Sequence, residues 1–348
     1  MMTASLRPTI FYRILLQALS LMSARRRRGS GSSRASSAQV GQILAPVVDQ
    51  ASMLAALRRM TGRPSFPEKL SSMQIRAWSE IEVPGGKVGQ TRPARLYRPR
   101  GRIGGVVLFL HGGGFVHCDL VSHHGICCRL AREAGAMVLS LDYRLAPENP
   151  FPAAIEDSWA ALRWLGDVAR MYGLPMAVAG DSAGGNIAAV IAQLARDERG
   201  PELAAQLLFY PALSGIDEPE TRQLYASGYL LTRRIMEWYA RQYVADEAYL
   251  THPLFAPASV ERLDGLPPAM IVTAEFDPLR GDGEVYARKL DLAGVPVRLR
   301  QMRGAIHGFL NFYVLTRDGR RAIREGGEFL GRAFVKAARN AASFSSVK

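Results

Sequence analysis

The 348-residue chain is 48% apolar and 22% charged, a balance that excludes a disordered or fibrous protein and suits one that buries a large core. Its formal charge of +13 would invite a nucleic-acid reading, but seven of those charges are Arg7, Arg13, Arg25, Arg26, Arg27, Arg28 and Arg34, in a stretch of 40 residues that holds no lysine and no acid. The excess is mostly a property of one end, and it argues against nucleic acid as the partner of the folded part.

Taken in order, the first apolar run, Ile10 to Met22, is interrupted by Arg13 and followed by Arg25 to Arg28. It is too short to span a bilayer, so stable membrane insertion is not expected. Arginines directly after it are at odds with a cleaved secretory signal. The composition fits an organelle transit peptide, and it fits a basic amphipathic surface anchor, which leaves peripheral membrane association open. The preferred reading is a translation start at Met22 or later, because Gly29 to Ser37 is a Gly/Ser/Arg linker that cannot pack. Residues 1–39 are thus expected to be a basic, disordered extension before one domain over 40–348.

Between Val40 and Met60 the apolar positions Ile43, Leu44, Val47, Val48, Met53, Leu54 and Leu57 recur at helical spacing. Alternation over Ile75–Val83, a Pro84-Gly85-Gly86 turn and Ala94–Tyr97 predict an antiparallel hairpin. A regular alternation follows. Strands are expected at Val106–Leu110, Met137–Leu141, up to Gly180, and at Leu207–Tyr210, Met270–Ala274 and Val297–Arg300. Helices are expected at Ser122–Ala134 with Gly135 as terminator, Pro152–Met171, up to Arg196, Gly283–Ala293 and Asp318–Ala338. This pattern, without internal repeats, predicts an α/β fold with a mostly parallel, doubly wound sheet. Between Ser214 and Leu266 the alternation fails in a stretch rich in tyrosine, which reads as an α-helical cap together with residues 40–70. Tyr229 and Trp238 are the candidate substrate-binding side chains of that cap.

Cys118, Cys127 and Cys128 are the only cysteines. Adjacent Cys127 and Cys128 make a poor disulfide framework, and reduced, buried thiols fit a cytoplasmic protein. No spacing among these cysteines and His117, His123 and His124 matches a ligand set, so no metal is expected.

Four strand ends carry reactive groups, and in a parallel sheet ligands bind at those ends. Ser182 lies in Gly180-Asp181-Ser182-Ala183-Gly184, a strand–turn–helix corner where small neighbours let a strained serine stand clear. His111-Gly112-Gly113-Gly114-Phe115 follows another strand, and no phosphate-loop continuation accompanies it. Asp277 and His307 follow the last two strands. A serine needs a base to accept its proton, which His307 can be, and the imidazole needs an anion to orient it, which Asp277 can be, with Glu275 and Asp282 as rivals. The amides of Gly112, Gly113 and Ala183 are the expected oxyanion donors, each worth about 2.7 to 4 kcal/mol.

His111–Phe115, Asp142-Tyr143-Arg144-Leu145-Ala146-Pro147-Glu148, Gly180–Asn186, Ala274–Arg280 and His307-Gly308-Phe309 together resemble the bacterial hormone-sensitive-lipase-like esterases, family IV of the α/β-hydrolase fold. The resemblance runs from about Val40 onward. It implies cofactor-free hydrolysis of small-molecule carboxylic esters with short to medium acyl chains, through an acyl-enzyme. It also implies a structural role for Asp142 and for Arg144 to Glu148. An acid usually follows the Asp-Pro-Leu-Arg stretch in that family, and here Gly281 intervenes before Asp282. A long-chain lipase, a deacetylase and a non-catalytic ligand receptor are the alternatives, and a homo-oligomer is left open.

Overall fold

The computed structural model describes residues 8–17, 50–62, 70–215 and 219–345. Eight strands form one sheet in the order β1-β2-β4-β3-β5-β6-β7-β8. They are β1 (Ala77–Pro84), β2 (Thr91–Arg98), β3 (Val106–Leu110), β4 (Met137–Leu141), β5 (Met176–Asp181), β6 (Leu203–Phe209), β7 (Ala269–Phe276) and β8 (Val297–Ile306). The hairpin β1–β2 and the β2–β4 pair are antiparallel, and the other five pairings are parallel.

The central strands are mostly apolar because both faces are covered. In β3, Val106, Leu108 and Leu110 enter one buried cluster, and Val107 and Phe109 enter the other on the opposite face. Helices α2 (His124–Ala134), α3 (Ala153–Met171), α4 (Ala183–Asp197), α7 (Arg280–Leu292) and α8 (Arg317–Ser345) cover those faces. In α4, twelve of fifteen residues are buried, as its all-round apolar sequence requires. Helix α2 ends at Gly135 in the left-handed conformation, φ 57°, where glycine carries no Cβ penalty.

Helix α1 (Gln50–Thr61), α5 (Glu220–Leu224), α6 (Arg233–Tyr243) and a 3₁₀ turn (Glu247–Thr251) lie outside this sandwich. The expected helical positions Ile43, Leu44, Val47 and Val48 lie outside the described residues. Arg58 of α1 reaches back to the body, donating to both oxygens of Glu148 at 2.8 Å, to the Ala146 carbonyl at 3.0 Å and to the Val116 carbonyl at 3.0 Å.

Two expectations are corrected. Residues 10–17, read as part of an unpacked extension, form a helix whose Tyr12 is fully buried. The Phe11 and Tyr12 rings meet Phe312 at 5.9 and 6.2 Å, and Thr9 donates to the Gly304 carbonyl at 3.0 Å, so apolar burial outweighs the surrounding basic composition. Strand β8 continues to Ile306, beyond Arg300, because an edge strand keeps polar residues on its open side and blurs its own periodicity.

One buried ion pair pins the loop after β4. Asp157 of α3 has no exposure and accepts from the Arg144 amide at 3.0 Å, from Arg144 Nε at 2.9 Å and from the Gly86 amide at 2.8 Å. Removing one member of such a pair leaves an uncompensated charge. Asp157→Ala is expected to lower the free energy of unfolding by about 3–5 kcal/mol in urea titrations. A loss below 1 kcal/mol would show that the anchor is dispensable.

Candidate active site

Ser182 sits between β5 and α4 at φ 53° and ψ −119°, a conformation few non-glycine residues adopt. Its amide donates to the Phe209 carbonyl at 2.8 Å and its carbonyl accepts from Asn186 at 3.0 Å, so the strain is held from both sides. The turn closes only with glycine around it. A Cβ on Gly180 would collide with the Gly184 carbonyl, and one on Gly184 would collide with the Leu110 carbonyl.

The strand ends then bring the other groups in. Pairing of Phe276 with Ile306 sets the loops after β7 and β8 side by side. His307 Nε2 lies 2.9 Å from Ser182 Oγ, and His307 Nδ1 lies 2.8 Å from Asp277 Oδ2. Asp277 has no exposure, and its other oxygen accepts from the Leu279 amide at 2.8 Å. The rival acids are engaged elsewhere: Glu275 accepts from the Gly304 amide, while Asp282 accepts from the amides of Leu213 and Ser214 and from Arg222.

The expected donor set changes by one residue. The Gly112 amide is already committed to Asp181 Oδ1 at 2.8 Å, so it cannot serve a developing oxyanion. Gly113, Gly114 and Ala183 line the cavity, and their amides take no hydrogen-bond partner among the described residues. Gly113 at φ 111° adopts a backbone shape open to glycine.

These groups border a cavity of about 410 Å³. Its apolar walls include Leu57, Leu230, Leu231, Ile235, Met236 and Phe255. Tyr229 and Trp238 are not in the wall, which corrects their assignment as substrate-binding residues. Tyr229 stacks on Phe276, 5.6 Å between ring centres, and Trp238 packs against the core. Their neighbours Leu230 and Tyr239 face the cavity instead, because one residue along a helix or turn points to a different side.

Residues 107–311 match a family of the alpha/beta hydrolase fold. The chain is 44% identical over 249 residues to the carboxylic ester hydrolase LipN of Mycobacterium tuberculosis, covering 68% of this chain and 65% of LipN. It is 44% identical over 267 residues to esterase LipI of the same organism, covering 74% of this chain and 80% of LipI. An esterase structure from Pyrobaculum calidifontis superposes with a TM-score of 0.75 at 39% identity, over 80% of this chain and 93% of that one.

The chain belongs to the hormone-sensitive-lipase-like α/β-hydrolases.

As a member of that family, the chain has its Asp142–Glu148 stretch beneath the site rather than in it. The Tyr143 hydroxyl donates to the His111 carbonyl at 2.7 Å, and its ring stacks on His111 at 4.3 Å. The departure at Gly281 has a steric cause. A Cβ there would run into Pro219, just before α5, and the Gly281 amide donates to Thr221 at 3.0 Å.

The residue that sequence reasoning missed is Asp181. Its Oδ1 takes the Gly112 amide and lies 3.1 Å from His123 Nε2, out of line for a hydrogen bond, while Oδ2 accepts from the Tyr210 hydroxyl at 3.3 Å. Burial pushes its carboxyl up, but the nearby His123 and the Gly112 amide outweigh that and hold it below the usual range. An acid inside the Gly-x-Ser-x-Gly corner, one residue before the nucleophile, was the available signal.

Burial lowers His111 and His117 to about 4, with the neighbouring His123 pushing the same way. A histidine with a folded pKa below its unfolded value of about 6.5 takes its proton more readily in the unfolded chain. The stability these groups contribute is complete above pH 6.5 and is lost as pH falls toward 4. Urea unfolding at pH 5 is expected to show a folded state weaker by about 2–4 kcal/mol than at pH 7. Equal stability at the two values would contradict burial of neutral imidazoles.

Proposed function

We propose that this α/β-hydrolase cleaves carboxylic esters of short to medium acyl chains through a covalent acyl-enzyme. The observation that carries the reading is one unbroken line of contacts, Ser182 to His307 at 2.9 Å and His307 to Asp277 at 2.8 Å, opening on the cavity beside free amides. Ser182 Oγ attacks the ester carbonyl as His307 Nε2 takes its proton, and Asp277 orients the ring and stabilises the imidazolium. The Gly113, Gly114 and Ala183 amides hold the tetrahedral oxyanion, aided by the N-terminus of α4. Collapse returns the proton to the departing alcohol, and water enters by the same route to release the acid.

The volume supports small to medium esters, since about 410 Å³ is at the lower end for ligand pockets. The names carried by LipN and LipI, ester hydrolase and esterase, support the bond class. A receptor built on this fold would not need His307 within hydrogen-bond distance of Ser182.

Two measurements test the reading. Ser182→Ala is expected to lower kcat on p-nitrophenyl butyrate by at least about 10⁴-fold. Equal rates would refute the nucleophile. Across p-nitrophenyl esters from acetate to palmitate, kcat/KM is expected to peak between two and eight carbons. A maximum at sixteen carbons would favour a long-chain lipase, and activity confined to acetyl groups a deacetylase.

A further inference from the structure

The loop that carries the oxyanion donors is gripped from above by one helix of the cap. Tyr239 and Tyr243 stand four residues apart on α6, so both point from the same side of that helix. The Tyr243 ring stacks flat on Phe115, 3.9 Å between centres and 4° between planes. The Tyr239 hydroxyl meets His117 Nε2 at 2.6 Å, and the ring lies against Gly114 so closely that a Cβ on that glycine would collide with it. Gly114, Phe115 and His117 belong to one turn, which is closed by the Gly113 carbonyl accepting from Val116 at 3.0 Å and from His117 at 3.1 Å. Arg58 of α1 holds the Val116 carbonyl from the other half of the cap.

We infer that Tyr239 is a positioning residue for the ester hydrolysis proposed above: through its bond to His117 and its ring over Gly114, the cap helix aims the Gly113 and Gly114 amides at the reacting carbonyl. The inference rests on that functional reading, and it makes closure of the cap and assembly of the oxyanion site one event. His117 is half-buried, and its desolvated imidazole, held toward the neutral form, shares one hydrogen bond with the Tyr239 phenol through Nε2. Nδ1 then faces Cys118 Sγ at 3.2 Å, which holds the ring upright. Cys118 itself sits at φ 70°, a strained backbone position that the closed turn maintains.

A side chain that only lined the cavity would shift KM, whereas one that aims the donors acts on the transition state and lowers kcat. Tyr239→Phe keeps the ring and removes the bond, His117→Leu removes the partner, and His117→Gln restores one. With p-nitrophenyl butyrate, Tyr239→Phe and His117→Leu are each expected to lower kcat about 10-fold with KM within twofold, less than the loss of a whole donor. The double variant is expected to fall no further than either single one, and His117→Gln to keep most of the activity. Glu237→Gln, on the exposed side of the same helix, is the control. A rise in KM at constant kcat, or losses that multiply to about 100-fold in the double variant, would overturn the inference. Amide hydrogen exchange over residues 112–118 gives a readout independent of activity: it is expected to speed up at least about fivefold in Tyr239→Phe and not in the control. Unchanged exchange would also overturn it. If the wild-type protein hydrolysed none of the esters, the proposed function would fall, and the exchange result would still decide whether the helix holds the loop.

Discussion

A single carboxylate, Asp181, joins the two halves of the catalytic rim. It ends the strand that delivers Ser182 and binds the amide of Gly112 in the glycine loop proposed to supply the oxyanion donors. A buried charge is costly unless it is met, and here an amide and a phenol donate to it while an imidazole lies 3.1 Å away. By consuming the Gly112 amide, the carboxylate fixes which glycines remain available. The next two glycines keep their amides free, and they are held close to Ser182 because Asp181 and Ser182 are consecutive.

The same economy of backbone appears at the corner itself. Register pairing of Leu110 with Gly180 brings β3 and β5 into contact where both strands end, and the start of α4 passes so close to Leu110 that only glycine fits at 184. The proposed nucleophile, the proposed donor loop and the positive end of α4 are therefore not three independent devices. They are consequences of one tight approach between neighbouring strand ends, beside which the loops after β7 and β8 set Asp277 and His307. The cap closes over this rim through Arg58, Tyr239 and Tyr243, which touch successive residues of the donor loop.

Much of this was legible from residue order alone. Val106–Leu110 and Met137–Leu141 coincide with their strands because central strands are apolar on both faces and their ends are marked by sharp composition changes. Ser182, Asp277 and His307 were legible because each follows a strand, and strand ends share one edge of a parallel sheet. What failed was the direction in which side chains and amides point. Gly112, Gly113 and Gly114 are identical in one-letter code, and the one withdrawn from the site is chosen by a carboxylate 69 positions away.

Cap side chains failed for a related reason. Composition marked the stretch from Ser214 to Leu266 as a cap, yet Trp238 and Tyr239 are equally aromatic and only one faces the cavity. Helical phase would separate them, but α6 carries tyrosines or tryptophan at 238, 239 and 243, so composition leaves its phase ambiguous. Tertiary contact resolves it, since Tyr243 stacks on Phe115 and that fixes the rotation of the helix about its axis. Tyr239, one turn earlier, is then carried over Gly114, and Trp238 is turned by about 100° out of the cavity wall.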